Sequence, residues 1–283
     1  MKKILIIAAL VVTLACVGLL SGCQVPSAIR CMNYADADKY LVGNQQYEGE
    51  LTSILVNWYV GEVNFMLSED NTISIVEDNE LEDKQKVHSY FSDGVLRVEF
   101  WQSGLADKVN SKDKKVTITY PKCGDIELMS TSAKVTADKM YADNVNIIMT
   151  SGYCSIGEIN AKTFDFISTS GSIVVNKMNC TVVDIGSTSG GCELNKVQVD
   201  TLNYTSTSGS AYVEIDSAKV VKIGSTSGSV NLKLNVGATI SFSTTSGSFS
   251  CEKEHSDKLD KKVVGDGETI IDVGTTSGSL RVR

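Results

Sequence analysis

The sequence predicts an all-β protein: a single-stranded parallel β-helix, or solenoid, of 19-residue rungs with an N-terminal β-hairpin cap. Three observations predict it. The tripeptide Thr-Ser-Gly recurs with its glycine at Gly152, Gly171, Gly190, Gly209, Gly228 and Gly247, a constant step of 19 residues. Counted from that glycine as position zero, apolar residues fill positions 2 and 4 and again 12 and 14. That is the two-residue alternation of a strand buried on one face, not the 3.6-residue alternation of a helix. Finally, 19 residues leave no room for a crossover helix between parallel strands, so copies must stack directly, about 4.8 Å apart.

Each column supports the stack. Position 2 holds Val135, Cys154, Ile173, Cys192, Ala211, Val230, Phe249 and Leu280, and position 14 holds Leu128, Ile147, Phe166, Ile185, Tyr204, Ile223, Phe242 and Val273. Positions 7 and 9 (Met140, Ile159, Met178, Val197; Cys123, Ala142, Ala161, Cys180, Val199) mark a third, less regular side. Polar residues at positions 5, 6, 10 and 11 suit corners. The glycine lets the backbone turn sharply, with positive φ if needed. Strand parity places serine at positions 16 and 18 inward and threonine at 17 outward. An unsatisfied buried hydroxyl costs about 1 to 3 kcal/mol, so an inward serine ladder requires a partner for every member.

Taken in order, residues 1–22 read as a lipoprotein signal peptide: Lys2 and Lys3, an apolar run from Ile4 to Leu20, then Leu20-Ser21-Gly22-Cys23. Cleavage before Cys23 and lipidation of its thiol would tether the rest to the outer face of a bacterial membrane. An uncleaved membrane span is the competing reading, and Cys16 is a poorer lipidation site. Residues 23–50 lack a regular period and form the tether. Residues 51–115 form the β cap, with strand-like runs at 54–58, 63–67, 72–76 and 95–100 separated by Gly61, Asp70-Asn71 and Asp93-Gly94. Residues 116–283 carry the rungs, with a charged loop at 252–267 that delays the last Thr-Ser-Gly to Thr276-Ser277-Gly278. The final Leu280-Arg281-Val282-Arg283 reads as an unpaired edge strand whose outward arginines deter aggregation.

Composition excludes several function classes. Beyond residue 22 the chain has 24 basic residues (26 less Lys2 and Lys3) against 34 acidic ones, a formal charge of -10. That argues against nucleic acid, which clustered Lys and Arg recognise. Eight cysteines without a C-x-x-C pair and only two histidines, His88 and His255, argue against structural zinc. The inward cysteines read as small buried hydrophobes, with a cross-core disulfide such as Cys180 to Cys192 left open. No histidine accompanies the repeated serine, so no nucleophile triad is visible.

The candidate binding face is outward. Position 13 presents Asn146, Asp165, Asp184 and Asn203, and position 17 presents Thr169, Thr188 and Thr207. Asp165 and Asp184 on neighbouring rungs would suit a weak calcium site or an acid/base pair; a solvated face is the plainer reading. A flat ice-binding face needs a second threonine row, and position 15 reads Met129, Ile148, Ile167, Gly186, Thr205, Gly224 instead. Trp58 and Trp101 read as cap core.

The chain resembles the bacterial putative-adhesin β-helix domains, a family of unknown function. The residues that carry the likeness are Ile54-Leu-Val-Asn-Trp-Tyr-Val-Gly-Glu-Val-Asn64, Asp93-Gly94-Val-Leu-Arg-Val, the Tyr120-Pro121 step, the Ser-Gly ladder, and Gly265-Asp266-Gly267 ahead of the last Thr-Ser-Gly-Ser-Leu, about residues 51 to 283. Serine usually follows the repeat glycine here, where the family pattern favours aspartate. The resemblance implies an exported or membrane-attached β-helix without catalytic residues. The expected function is a non-catalytic cell-envelope lipoprotein whose rod binds a glycan or a protein. Alternatives are a structural or envelope-stress component that binds another membrane protein and, behind both, a polysaccharide-acting enzyme using Asp165 and Asp184.

Overall fold

The computed structural model describes residues 33–78, 80–105, 114–258 and 261–283. The signal segment, Cys16, Cys23 and Cys31 lie outside the described residues. The described chain is all-β apart from short 3-10 turns, and its strands form one large, mostly parallel sheet.

The N-terminal strands are β1 (Leu41–Val42), β2 (Gln45–Tyr47), β3 (Ser53–Leu67), β4 (Ile73–Glu77), β5 (His88–Ser92), β6 (Val95–Glu99) and β7 (Lys115–Tyr120). The repeats follow as β8 (Cys123–Met149), β9 (Tyr153–Ser168), β10 (Ser172–Ser187), β11 (Cys192–Ser206) and β12 (Ala211–Ser225). Pairing is parallel and steps by 19: Cys154 lies beside Ile173, Ile173 beside Cys192, and Cys192 beside Ala211. In the rung of β10 six inward side chains, Ile173, Val175, Met178, Cys180, Val183 and Ile185, are buried. Each large aliphatic one contributes roughly 1.5 to 3 kcal/mol, so the core is a continuous apolar column.

The corner explains why the repeat is Ser-Thr-Ser-Gly. Serine at position 16 turns inward and its hydroxyl closes the turn: Ser187, Ser206 and Ser225 Oγ accept from the backbone N–H of Gly190, Gly209 and Gly228 at 2.7–2.9 Å, while Ser168 Oγ donates to the Gly171 carbonyl at 2.7 Å. The buried hydroxyls are thus satisfied. Position 18 differs from the parity expectation: Ser170, Ser189, Ser208 and Ser227 are exposed, because the turn breaks strand alternation. The glycine is needed for closeness. A Cβ on Gly190, Gly209 or Gly228 would sit 1.9–2.1 Å from the carbonyl oxygen of the glycine one rung below, and none of the three has positive φ.

At both ends, stacking order departs from chain order. The two runs flanking Gly61 are one strand, β3, and not a hairpin. It lies parallel to β8 with Gly61 beside Ala133 in the glycine column, and β6 and β7 pair with its other edge. Gly61 therefore occupies a rung corner, 72 residues ahead of its stacking partner and so out of the 19-residue beat. A true hairpin joins β5 to β6 through Asp93 and Gly94, both at positive φ.

The C-terminal strands are β13 (Val230–Leu234), β14 (Ala238–Thr244), β15 (Phe249–Cys251), β16 (His255–Lys258), β17 (Lys261–Val264), β18 (Thr269–Thr275) and β19 (Leu280–Val282). The charged loop contains an antiparallel hairpin, β16–β17, laid along β14. The chain then turns back. β18 pairs in parallel with β12 on one side and β14 on the other, and β19 does the same between β13 and β15. The final strand is therefore not an unpaired edge. Leu280 and Val282 are buried, and the glycine column runs Gly209, Gly228, Gly278, Gly247.

Among the described residues Cys123, Cys154, Cys180, Cys192 and Cys251 are free thiols, so Cys180 and Cys192 do not pair. Burial pushes the Cys123, Cys154 and Cys180 thiols up to about 12, which leaves them unreactive hydrophobes.

The close approach at the glycine column predicts that Gly209→Ala costs about 3 kcal/mol, because stacked backbones must separate. Gly186→Ala, whose Cβ would find its nearest neighbour, Thr205 Oγ1, at 3.8 Å, should change stability by less than about 0.5 kcal/mol. Equilibrium denaturant unfolding reads both, and equal costs would contradict this account of the corner.

Candidate functional site

Inward positions 12, 14 and 16 leave 13, 15 and 17 pointing out, so one side of the rod is a sheet face made of residue ladders. In position 13, Asn146, Asp165, Asp184 and Asn203 stand side by side on consecutive rungs. The Asn203 Nδ2 donates to Asp184 Oδ1 at 2.7 Å. Asp165 is half-buried, and burial followed by the neighbouring Asp184 charge raises its carboxyl from its ordinary value. Among the described residues no group of three or more His, Cys, Asp and Glu gathers where it could hold a metal ion. Two adjacent carboxylates fall short of the six to eight oxygens calcium takes.

Thr169, Thr188 and Thr207 stand at the corner edge of the same face. Their rungs are joined by Thr188 N–H donating to Ser168 O and Thr207 N–H donating to Ser187 O, both at 3.2 Å. The structure therefore brings every proposed face residue onto one surface, in two rows. Between the rows runs position 15, which sequence reasoning had set aside because it was not a second threonine row. There Met129, Ile148 and Ile167 are 45%, 36% and 46% exposed. Ile148 lies beside Ile167, and Ile167 beside Gly186, where the apolar ladder stops. The signal was legible as large apolar residues at an outward parity.

Parallel sheets are normally covered on both faces. This one carries an apolar ladder three rungs tall, bounded by Glu127, Asn146 and Asp165 on one side and threonines on the other.

A second polar cluster lies inside the N-terminal end and was not visible in the repeat pattern. Lys114 and Glu77 form a buried ion pair, Nζ to Oε1 3.0 Å, with each side chain 2% exposed. Lys114 also donates to the Gln85 and Phe100 carbonyls and lies over the Trp58 and Phe100 rings. Its burial lowers its pKa to about 8. Glu99 accepts from Asn57 Nδ2 at 2.8 Å and stands opposite His88 across the β5–β6 ladder. Trp58 and Trp101 are buried in this core. The ion pair and the ring contacts tie the start of β7 to the end of β4 and to the aromatic core at this end of the stack.

The geometry defines a class: a β-solenoid-like rod with a laddered outer face. The chain belongs to the Toastrack DUF4097 family, whose model matches residues 57–283. It is similar in structure to a putative adhesin from Bacteroides fragilis, with 13% identity, TM-score 0.55, and coverage of 86% of this chain and 97% of that one. A putative lipid binding protein from Parabacteroides distasonis matches at 15% identity and TM-score 0.53, covering 85% of this chain and 97% of that one. At these identities the likeness concerns the fold. No curated protein matches the chain.

Burial raises Glu99 from 4.5 to about 7, against the smaller opposing effect of the Asn57 hydrogen bond. The folded state thus binds this proton more tightly than the unfolded state. The associated stability is full below pH 4.5 and is lost as pH rises through about 7. His88, whose pKa burial lowers, works in the opposite direction. Glu99→Gln is therefore expected to lose less stability than the wild type between about pH 5 and pH 8, by thermal unfolding at both pH values, since His88 is common to both proteins. Identical pH dependence in the two would show that Glu99 is not held as described.

Proposed function

We propose that this protein is a non-catalytic cell-envelope lipoprotein, anchored through a lipid on Cys23 to the outer face of a bacterial membrane, that binds a partner on its outer sheet face. One observation carries the reading: the exposed ladder Met129, Ile148 and Ile167 on an otherwise uncovered parallel sheet, flanked by Asn146, Asp165, Asp184 and Asn203 and by Thr169, Thr188 and Thr207. The adhesin descriptions of structural neighbours support a binding role.

The ladder favours a protein partner over a glycan. Saccharides are typically gripped by aromatic faces and by polar side chains, whereas here the centre of the face is aliphatic. The same ladder supports the reading in which the rod docks on another envelope protein. A polysaccharide-acting role for Asp165 and Asp184 has less support, because the Asn203 amide already engages Asp184.

Ile148→Glu/Ile167→Glu tests the face. Both side chains are exposed, but the introduced charges face each other across one ladder step, so a loss of about 1 kcal/mol with the fold retained is expected. Retention of solubilised envelope proteins by the immobilised rod should fall at least tenfold, while envelope polysaccharides bind neither form. Unchanged retention would place the partner elsewhere, and polysaccharide retention lost with Asp165→Asn would favour the glycan reading.

A further inference from the structure

The region that chain order does not explain is the C-terminal slot. Segment 269–283 is wedged into the stack: β18 lies between β12 and β14, and β19 between β13 and β15. Most of what holds it is generic to the repeat, and the specific additions, an exposed Arg281–Glu252 ion pair and Arg283 over the Tyr212 ring, would form equally well between two copies. Its backbone forms parallel ladders on both edges. Its inward residues Ile271, Val273, Leu280 and Val282 continue columns 12, 14, 2 and 4. Thr269 Oγ1 donates to the Ala218 carbonyl at 2.8 Å, and Gly278 fits over Gly228 in the glycine column.

The two layers it separates are themselves matched. Val221 and Ile240, and likewise Val230 and Phe249, are one 19-residue period apart, so they occupy the same columns. The slot is thus a gap of one rung, with an edge that offers unpaired N–H and C=O groups on each side whenever the wedge leaves. The wedge is joined to the hairpin β16–β17 by Gly265 to Glu268. Gly265 and Gly267 both sit at positive φ, Asp266 and Glu268 are exposed, and the hairpin itself stays fixed to β14 through Val264 beside Ala238. A short hinge at the surface therefore connects a fixed hairpin to a segment held by repeat-type contacts.

We infer that this slot is a strand-exchange site: a second copy of the chain fills it with its own 269–283 segment, and gives up its own slot in return. The exchanged state makes the same ladders and the same buried contacts between copies as within one copy. Only the conformation of Gly265 to Glu268 and the association itself change. The exchange is a form of β-augmentation whose specificity lies in the 12, 14, 2 and 4 columns. The inference is independent of the outer face argued above.

The test mixes isotopically labelled and unlabelled full-length protein in detergent and reads mixed dimers by native mass spectrometry. Mixed dimers are expected, increasing with concentration and forming faster on warming below the unfolding temperature. Ser241→Cys/Asp272→Cys supplies the lock, since these residues are direct partners across β14 and β18 on the outward side. Oxidised as a monomer, it should abolish mixed dimers, and reduction should restore them. Ile148→Glu should leave exchange intact, which separates failure of this inference from failure of the binding face. Absence of mixed dimers, or their equal formation by the oxidised lock, would overturn the proposal. Should the lock not oxidise, hydrogen exchange decides: β18 and β19 amides are expected to exchange together and faster than those of β10, and equal protection would overturn the proposal.

Discussion

The structure depends on how closely two backbones can pass at one corner. At Gly190, Gly209, Gly228, Gly278 and Gly247 the chain turns with a glycine over the carbonyl of the glycine below, leaving no volume for a Cβ. At the first three, the serine three residues earlier closes that turn through its hydroxyl. The two requirements meet in a four-residue unit, Ser-Thr-Ser-Gly, and fix the register at the corner, so extra residues are taken up only as an excursion elsewhere in the rung, as the 252–267 hairpin is before Gly278 rejoins the column. From the register follows the alignment of apolar columns into one core.

The same constraint creates the surface. When every rung repeats with the same step, outward residues are also aligned, so a difference at one position is read as a ladder rather than scattered. Asn146, Asp165, Asp184 and Asn203 form one row and Met129, Ile148 and Ile167 another because position 13 and position 15 each fall on a fixed line. A β-sandwich would hide one face of each sheet in its core and leave the other facing solvent. Here the core lies inside the coil and the outer face is left for something else. A binding role therefore fits the architecture more naturally than chemistry that needs unlike groups converging on one point.

Much of this was legible in the sequence, and the reasons for the exceptions are physical. A period reports which residues share a column, and it did so correctly for Val273 and Leu280. It does not report the order in which rungs are laid, because column-matched strands pair equally well with several neighbours. Hence neither the insertion of β18 and β19 nor the placement of β3 between β8 and the pair β6 and β7 could be read. Position 18 was misjudged because alternation holds along a strand and fails through a turn. Lys114, Glu77 and Glu99 carry no period at all. Their burial depends on the aromatic end layer of Trp58, Phe100 and Trp101, assembled from segments far apart in the chain.

The order of the stack is the claim on which the ends of the rod rest, and cysteine pairs along position 13 test it directly. Lys222 lies beside Asp272, which in turn lies beside Ser241. Neighbouring strands stand about 4.8 Å apart, within the span of a disulfide, while two strand steps exceed it. Under mild oxidation of dilute protein, Lys222→Cys/Asp272→Cys is predicted to form an intramolecular disulfide and Lys222→Cys/Ser241→Cys is not. A disulfide in the second pair and none in the first would mean that rungs stack in simple chain order, contradicting the interleaved end.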